Sequence, residues 1–241
     1  MPVNGAHRAL STRQLLAWCV HLFTASGAVL AVFALWEIGR GGTARAAIYM
    51  LAALSIDAVD GTLARRVGVA EQLPWIDGRR LDDVVDYLNY AIVPVVFLLA
   101  TGAFFHWSLA ALPVIASAYG FAQVDAKTED DFFLGWPSYW NVVALYLWLL
   151  DLTPGAASAW IALFSALVFM PQKYIYPSKL RRLRTATVVG GTLWVWAMAF
   201  IVWFPEVAAR VHAVEISLAY PAYYVALSAW LGEWWRPRKR S

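Results

Sequence analysis

Apolar residues fall in long blocks along this chain, and the charged residues collect in the gaps between them. A helix needs roughly 20 mostly apolar residues to cross about 30 Å of hydrocarbon. By that ruler the pattern predicts eight spans: 16–38, 44–64, 82–101, 104–123, 137–151, 155–172, 186–204 and 213–232. Pro94 and Pro113 interrupt two of them. Membrane helices tolerate such breaks where neighbours re-satisfy the backbone. The ten-residue alternation of barrel strands is not evident. No linker is long enough to divide the chain. The expected fold is therefore all-α, a polytopic bundle forming a single membrane domain over residues 1–241.

Composition agrees with the pattern. Hydrophobic residues make up 61% of the chain and charged residues 15%, which excludes an ordinary soluble domain. The single cysteine, Cys19, excludes an intramolecular disulfide. The opening MPVNGAHRAL reads as a short polar tail, and the apolar run after it is too long for a signal-peptide core. A net charge of only +3 carries no nucleic-acid signal. The distribution of that charge matters more than its sum. With both termini placed inside, every one of the 19 basic residues except Arg40, Arg45 and Arg210 falls on the inner side. That bias puts both termini, the stretch 55–90 and the loops 124–136 and 173–185 toward the cytoplasm. The tail RPRKR then serves as a positive-inside anchor.

The acidic residues pose the chemical question. Asp57 and Asp60 stand one helical turn apart, and so do Asp82 and Asp86. The two pairs end one oily run and begin the next, so a helix pair would bring them together. Bare carboxylates gathered there would repel one another and lose hydration, and such groups in membrane segments usually mark function. Hard divalent ions resolve the conflict, because Mg²⁺ and Mn²⁺ take oxygen ligands and supply the opposing charge. Four carboxylates suit two ions, and a two-metal site suits phosphoryl displacement. Gly61, Ala64 and Gly78 are small enough to leave room for a nucleotide, and Arg65 can pair with phosphate. Asp83 points about 100° from Asp82 and is expected only to favour a helix start. His21, beside Thr24 and Ser26, could touch a nucleotide. The expectation for it is an interhelical histidine whose hydrogen bonds are satisfied.

These residues carry a resemblance. Asp57-x2-Asp60-Gly61-x2-Ala64-Arg65, followed by Gly78-x3-Asp82-x3-Asp86, is similar to the signature of the CDP-alcohol phosphotransferases. The spacer 66–77 is longer than is usual in that family. Together with AWCVHLFTASG (17–27) and KTEDDFFLGWPSYWN (127–141), it resembles the bacterial phosphatidylcholine synthase branch. The resemblance covers about residues 16–184, taken as the catalytic core, with two additional helices over about 186–232. It implies an integral enzyme of the bacterial inner membrane that joins choline to CDP-diacylglycerol, releasing CMP. It implies metal ligands at Asp57, Asp60, Asp82 and Asp86, with Asp86 also as general base. It implies a CDP site at Asp60, Gly61, Ala64, Arg65 and Gly78, a family-type bundle, and a possible homodimer.

The quaternary ammonium of choline cannot donate a strong hydrogen bond, so its recognition calls for aromatic faces and negative charge. The segment 119–141 supplies both, and the expected box is Tyr119, Trp136 and Trp140 with Glu129 nearby. The competing expectation is that these rings belong to an interfacial aromatic belt. Lys127, Lys173, Lys179, Arg181 and Arg182 could contact lipid phosphate, and most of them are expected instead to set topology and meet anionic headgroups. Two alternatives stay open: the same family with serine, inositol or glycerol phosphate as acceptor, and a cation or proton transporter. The acidic surroundings of Lys127 favour a cationic acceptor. Acids gathered at one face, with Arg65 at the helix exit, favour phosphate chemistry over transport.

Overall fold

The computed structural model describes residues 10–234. The tail RPRKR and most of the N-terminal polar segment lie outside the described residues. Helix α1 (Thr12–Gly39) opens on a reciprocal cap. Ser11 Oγ accepts from the Gln14 N–H, and the Gln14 side chain accepts from the Ser11 N–H. The chain reverses through 40–42 into α2 (Thr43–Val67), and Arg45 pairs with Glu37 at 2.7 Å across that turn. Small residues line the contact between the two helices, with Ala17, Ala31 and Ala34 on α1 and Ala46, Ala47 and Ala53 on α2 all buried. Small side chains let membrane helices approach closely where lipid offers no hydrophobic drive to pack them.

Gly68, at φ +70, ends α2, and the short α3 (Val69–Gln72) follows. Helix α4 (Gly78–Tyr87) is capped by Asp77, whose side chain accepts from the N–H groups of Arg79 and Arg80. The helix therefore starts four residues before the expected span, and Asp83 lies beyond its first turn. A π-helical turn (Leu88–Ile92) leads into α5 (Val93–Ala100), which carries Pro94 near its start. A 3₁₀ turn (Trp107–Ala110) introduces α6 (Ala111–Ala122). Helices α7 (Trp140–Leu149), α8 (Pro154–Val168) and α9 (Arg184–Trp203) follow. The short α10 (Pro205–Arg210) and α11 (Ala213–Ser217) lead to α12 (Ala219–Leu231).

All eight expected segments are helical over most of their length. Among the described residues, four helices are long and apolar enough to cross a membrane: Thr12–Gly39, Thr43–Val67, Gly78–Ala100 and Arg184–Trp203. Trp107–Ala122, Trp140–Leu149 and Pro154–Val168 are apolar but shorter. Leu22, Trp36, Phe105 and Trp196 stand at least 65% exposed, a surface suited to lipid rather than water. The chain is a multi-pass, predominantly helical membrane protein.

The all-α expectation misses one feature. Strand β1 (Phe132–Leu134) pairs antiparallel with β2 (Lys173–Ile175), Phe133 lying opposite Tyr174. Gly135, at φ +82, lets the chain turn out of β1 while its N–H still reaches Gln172 O at 2.8 Å. This ribbon joins the loop 124–136 to the loop 173–185. Helix α12 braces it from behind: Ser228 Oγ accepts from the Ile175 N–H, and the Tyr224 hydroxyl donates to Ile175 O.

Candidate functional site

Helices α2 and α4 bring the acidic residues together. Asp57, Asp82 and Asp86 each offer a carboxylate oxygen, and these oxygens all lie within 4.8 Å of one another. Each of the three is half-buried. The fourth carboxylate is oriented differently. Asp60 is buried, and its Oδ2 accepts from the Thr24 hydroxyl of α1 at 2.8 Å. Asp57, Asp60 and Asp86 nevertheless line one small cavity, together with Thr24, Asn89 and Tyr90.

The π-helical turn just after Asp86 builds the floor of this cavity. Such turns recur at functional positions inside α-helices. Asn89 is buried, and its Nδ2 donates to Gly27 O on α1 and to Val85 O on its own helix, each at 3.0 Å. A Cβ on Gly27 would meet Val85 Cγ1 at 2.7 Å, so α1 and α4 need glycine there. Tyr90 follows one turn after Asp86, and its hydroxyl donates to Asp57 Oδ2. A cation is also present: Lys127 lies near enough for its charge to act on Asp57, Asp82 and Asp86. The bridge between Lys127 and Phe133 fixes that approach.

The expected CDP-site residues lie beside these carboxylates. Gly61 follows Asp60 on α2, and a Cβ there would sit 3.4 Å from Arg65. The Arg65 guanidinium donates to Thr62 Oγ1 and lies near enough for its charge to act on Asp60. Ala64 accepts the capping N–H of Gly68 through its carbonyl. Gly78 opens α4 against His21 of α1.

The expected choline box is arranged otherwise. Trp140 is fully buried, its indole N–H donating to Ser117 Oγ at 2.8 Å. Trp136 packs between Trp140 and Phe164, with both ring centroids at 4.7 Å. Tyr119 faces Phe169 on the outer side of α6, and Glu129 is exposed in the loop before β1. The two tryptophans thus present their faces to core neighbours. The rings beside the carboxylates are tyrosines. Tyr90 touches Asp57 and packs at 5.8 Å on Tyr139, and Asp57 also acts on Tyr139 and Tyr176. The Lys127 ammonium lies 5.8 Å from the centre of the Tyr176 ring, and that of Lys179 lies 5.2 Å from it.

Tyr90 was legible, since it stands four residues after Asp86 on the same helical face. Lys127, Tyr139 and Tyr176 were not, because only the ribbon and the turn before α7 carry them to the site.

No family model matches the chain. Curated relatives do. A protein of Legionella pneumophila named phosphatidylcholine synthase is 40% identical over 223 residues, covering 88% of this chain and 87% of its own. One of the same name from Pseudomonas aeruginosa is 33% identical over 95% of this chain and 97% of its own. A third, from Legionella bozemanae, is 36% identical over 83% of this chain and 97% of its own.

Proposed function

The chain belongs to the phosphatidylcholine synthase family, and we propose that it transfers the phosphatidyl group of CDP-diacylglycerol to choline, giving phosphatidylcholine and CMP. The observation that carries this reading is the meeting of Asp57, Asp82 and Asp86 within 4.8 Å on two apolar helices. A site of oxygen donors alone, all anionic, fits a hard divalent cation. Asp57, Asp82 and Asp86, with Asp60 on the same cavity, would hold Mn²⁺ or Mg²⁺, two ions in this proposal. When bound, such ions neutralise diphosphate charge and ease the departure of CMP.

The chain's own residues have the following parts. Asp60, Gly61, Ala64, Arg65 and Gly78 seat the nucleotide, with glycine and alanine leaving room and Arg65 meeting phosphate. Tyr90 holds Asp57 in one orientation through its hydroxyl. Asp86 takes the proton of the choline hydroxyl as that oxygen attacks the lipid phosphorus. A phosphorus–oxygen bond forms to choline, and the bond to the diphosphate bridge breaks, leaving CMP. The quaternary ammonium has no proton to share and calls for ring faces. Tyr139 and Tyr176, both electrostatically close to Asp57, suit that task better than the Trp136–Trp140 pair or Tyr119, and Glu129 lies too exposed to desolvate a cation.

In this proposal the bundle crosses the bacterial inner membrane eight times, with both termini and the site toward the cytoplasm, and pairs as a homodimer. Cysteine-labelling of the terminal segments from either side tests the orientation, and mass measurement in detergent tests the pairing.

The central test uses purified protein with CDP-diacylglycerol, Mn²⁺ and choline. CMP release that needs choline and stops with a chelator is expected. Release with serine but not choline would move the protein to another acceptor. Ion flux without CMP would replace the enzyme by a transporter.

A further inference from the structure

His21 projects from α1 one turn before Thr24, the residue that bonds Asp60. Its side chain is only 6% exposed, yet its Nε2 is buried with no hydrogen-bond partner. The expected interhelical histidine with satisfied nitrogens is therefore not what the structure holds. A buried polar group left without a partner destabilises the fold. Such groups are rare, and each asks what partner it awaits.

The surroundings of the ring narrow the choice. A Cβ on Gly78 would lie 3.0 Å from His21 Cε1, so glycine lets the imidazole pack directly against the start of α4. Asp60, Gly61 and Arg65 arrive at the same end of the bundle from α2. The spacer 66–77 packs beside them. Val69 and Leu73 form a small core with Ala17 and Val20, the residues four and one before His21. Trp18 meets the imidazole edge-on at 6.4 Å. The long spacer thus clamps the turn of α1 that carries the ring.

We propose that His21 is a binding residue for the nucleotide half of the lipid donor, its unpartnered Nε2 hydrogen-bonding the pyrimidine nucleotide seated beside the start of α4, with the spacer 66–77 holding the ring there. The proposal rests on the reading that the donor is a CDP-linked lipid. An imidazole nitrogen can accept from an amino group or a hydroxyl, or donate to a carbonyl or phosphate oxygen. Each of these occurs on a pyrimidine nucleotide.

The experiment compares the wild-type protein with His21→Ala and His21→Gln. CMP binding is titrated by calorimetry, and KM is measured separately for CDP-diacylglycerol and for choline. The Ala variant is expected to weaken CMP binding and raise the donor KM roughly tenfold, as loss of one hydrogen bond to a ligand would. Its choline KM should stay within about twofold. The Gln variant places an amide nitrogen near the Nε2 position and should recover much of the loss. If the Ala variant does not fold, CMP titration of the Gln variant against His21→Leu decides. Unchanged CMP affinity and donor KM, with only thermal stability lowered, would make His21 a packing residue and overturn the proposal. Wild-type protein that binds CMP but forms no phosphatidylcholine would overturn the acceptor reading alone. Wild-type protein that does not bind CMP would overturn the His21 proposal.

Discussion

Asp82 and Asp83 are adjacent in sequence but differ in consequence. Asp82 joins Asp57 and Asp86, whereas Asp83 points about 100° around α4. Asp86→Asn should therefore lower kcat by about 10²- to 10⁴-fold, the usual worth of a general base. Asp83→Asn should stay within about twofold of the wild type. Choline-dependent CMP release measures both, and equal losses would separate chemistry from the carboxylate cluster. Trp140 makes the opposite case. It is fully buried and bonded to Ser117, so Trp140→Ala should cost about 3–5 kcal/mol and appear as a lower melting temperature. The surviving folded fraction should keep its choline KM, while Tyr176→Leu should raise it. The reverse pattern would restore the tryptophan box.

Among the elements, the segment 78–100 is the one most shaped by its irregularity. The π-helical turn places Asn89 where one amide group ties α1 to α4. Asn89→Ala removes two buried hydrogen bonds, a loss of about 1–3 kcal/mol. Since Asp86 and Tyr90 flank that residue, kcat should fall with stability. A fall in melting temperature at full activity would show that the turn only supports the fold.

The ribbon offers a pH test. Asp130 accepts a hydrogen bond from Lys173 of β2. Partial burial pushes its carboxyl up, but hydrogen bonds from Lys173 and Thr128 and the Lys173 charge outweigh that and hold it below the ordinary carboxylate value. A carboxylate with a lowered folded-state pKa stabilises the fold above its ordinary value and loses that effect as pH falls through the lowered one. The stability difference between wild type and Asp130→Asn should hold steady above about pH 4 and shrink below it. It should be small, within about 1 kcal/mol, because the pair is partly exposed. A difference unchanged at lower pH would assign it to something other than the ion pair.

For the whole molecule, the C-terminal helices brace elements that lie earlier in the chain. Helix α12 holds β2 through Ser228 and Tyr224, β2 holds β1, and the bridge beside β1 carries Lys127 to the carboxylates. A second brace links α7, α9 and α11, where Trp194 donates to the Tyr146 hydroxyl, which bonds Ser217. A chain ended at residue 184 should therefore lose choline-dependent turnover even where α1 to α5 still fold. Retained turnover would limit these helices to an anchoring role.

Much of this was legible in the residues themselves. Helical segments followed from apolar runs, because every backbone group in lipid must find its partner within the segment. The motif, its carboxylates and their shared faces followed from helical spacing, which is a local property. The nearness of Tyr139 and Tyr176 to Asp57, the approach of Lys127 and the open nitrogen of His21 were not legible. They depend on contacts between residues far apart in the chain. The strands that bring Lys127 in are three residues each, too short to leave a periodic trace. The sequence also placed Trp136 and Trp140 near a ligand by composition alone. Aromatic content says that rings are present, while the packing of α6, α7 and α8 sets which faces remain open. Local geometry is written every few residues and can be read there. Which side chains meet across helices depends on how all of them pack at once.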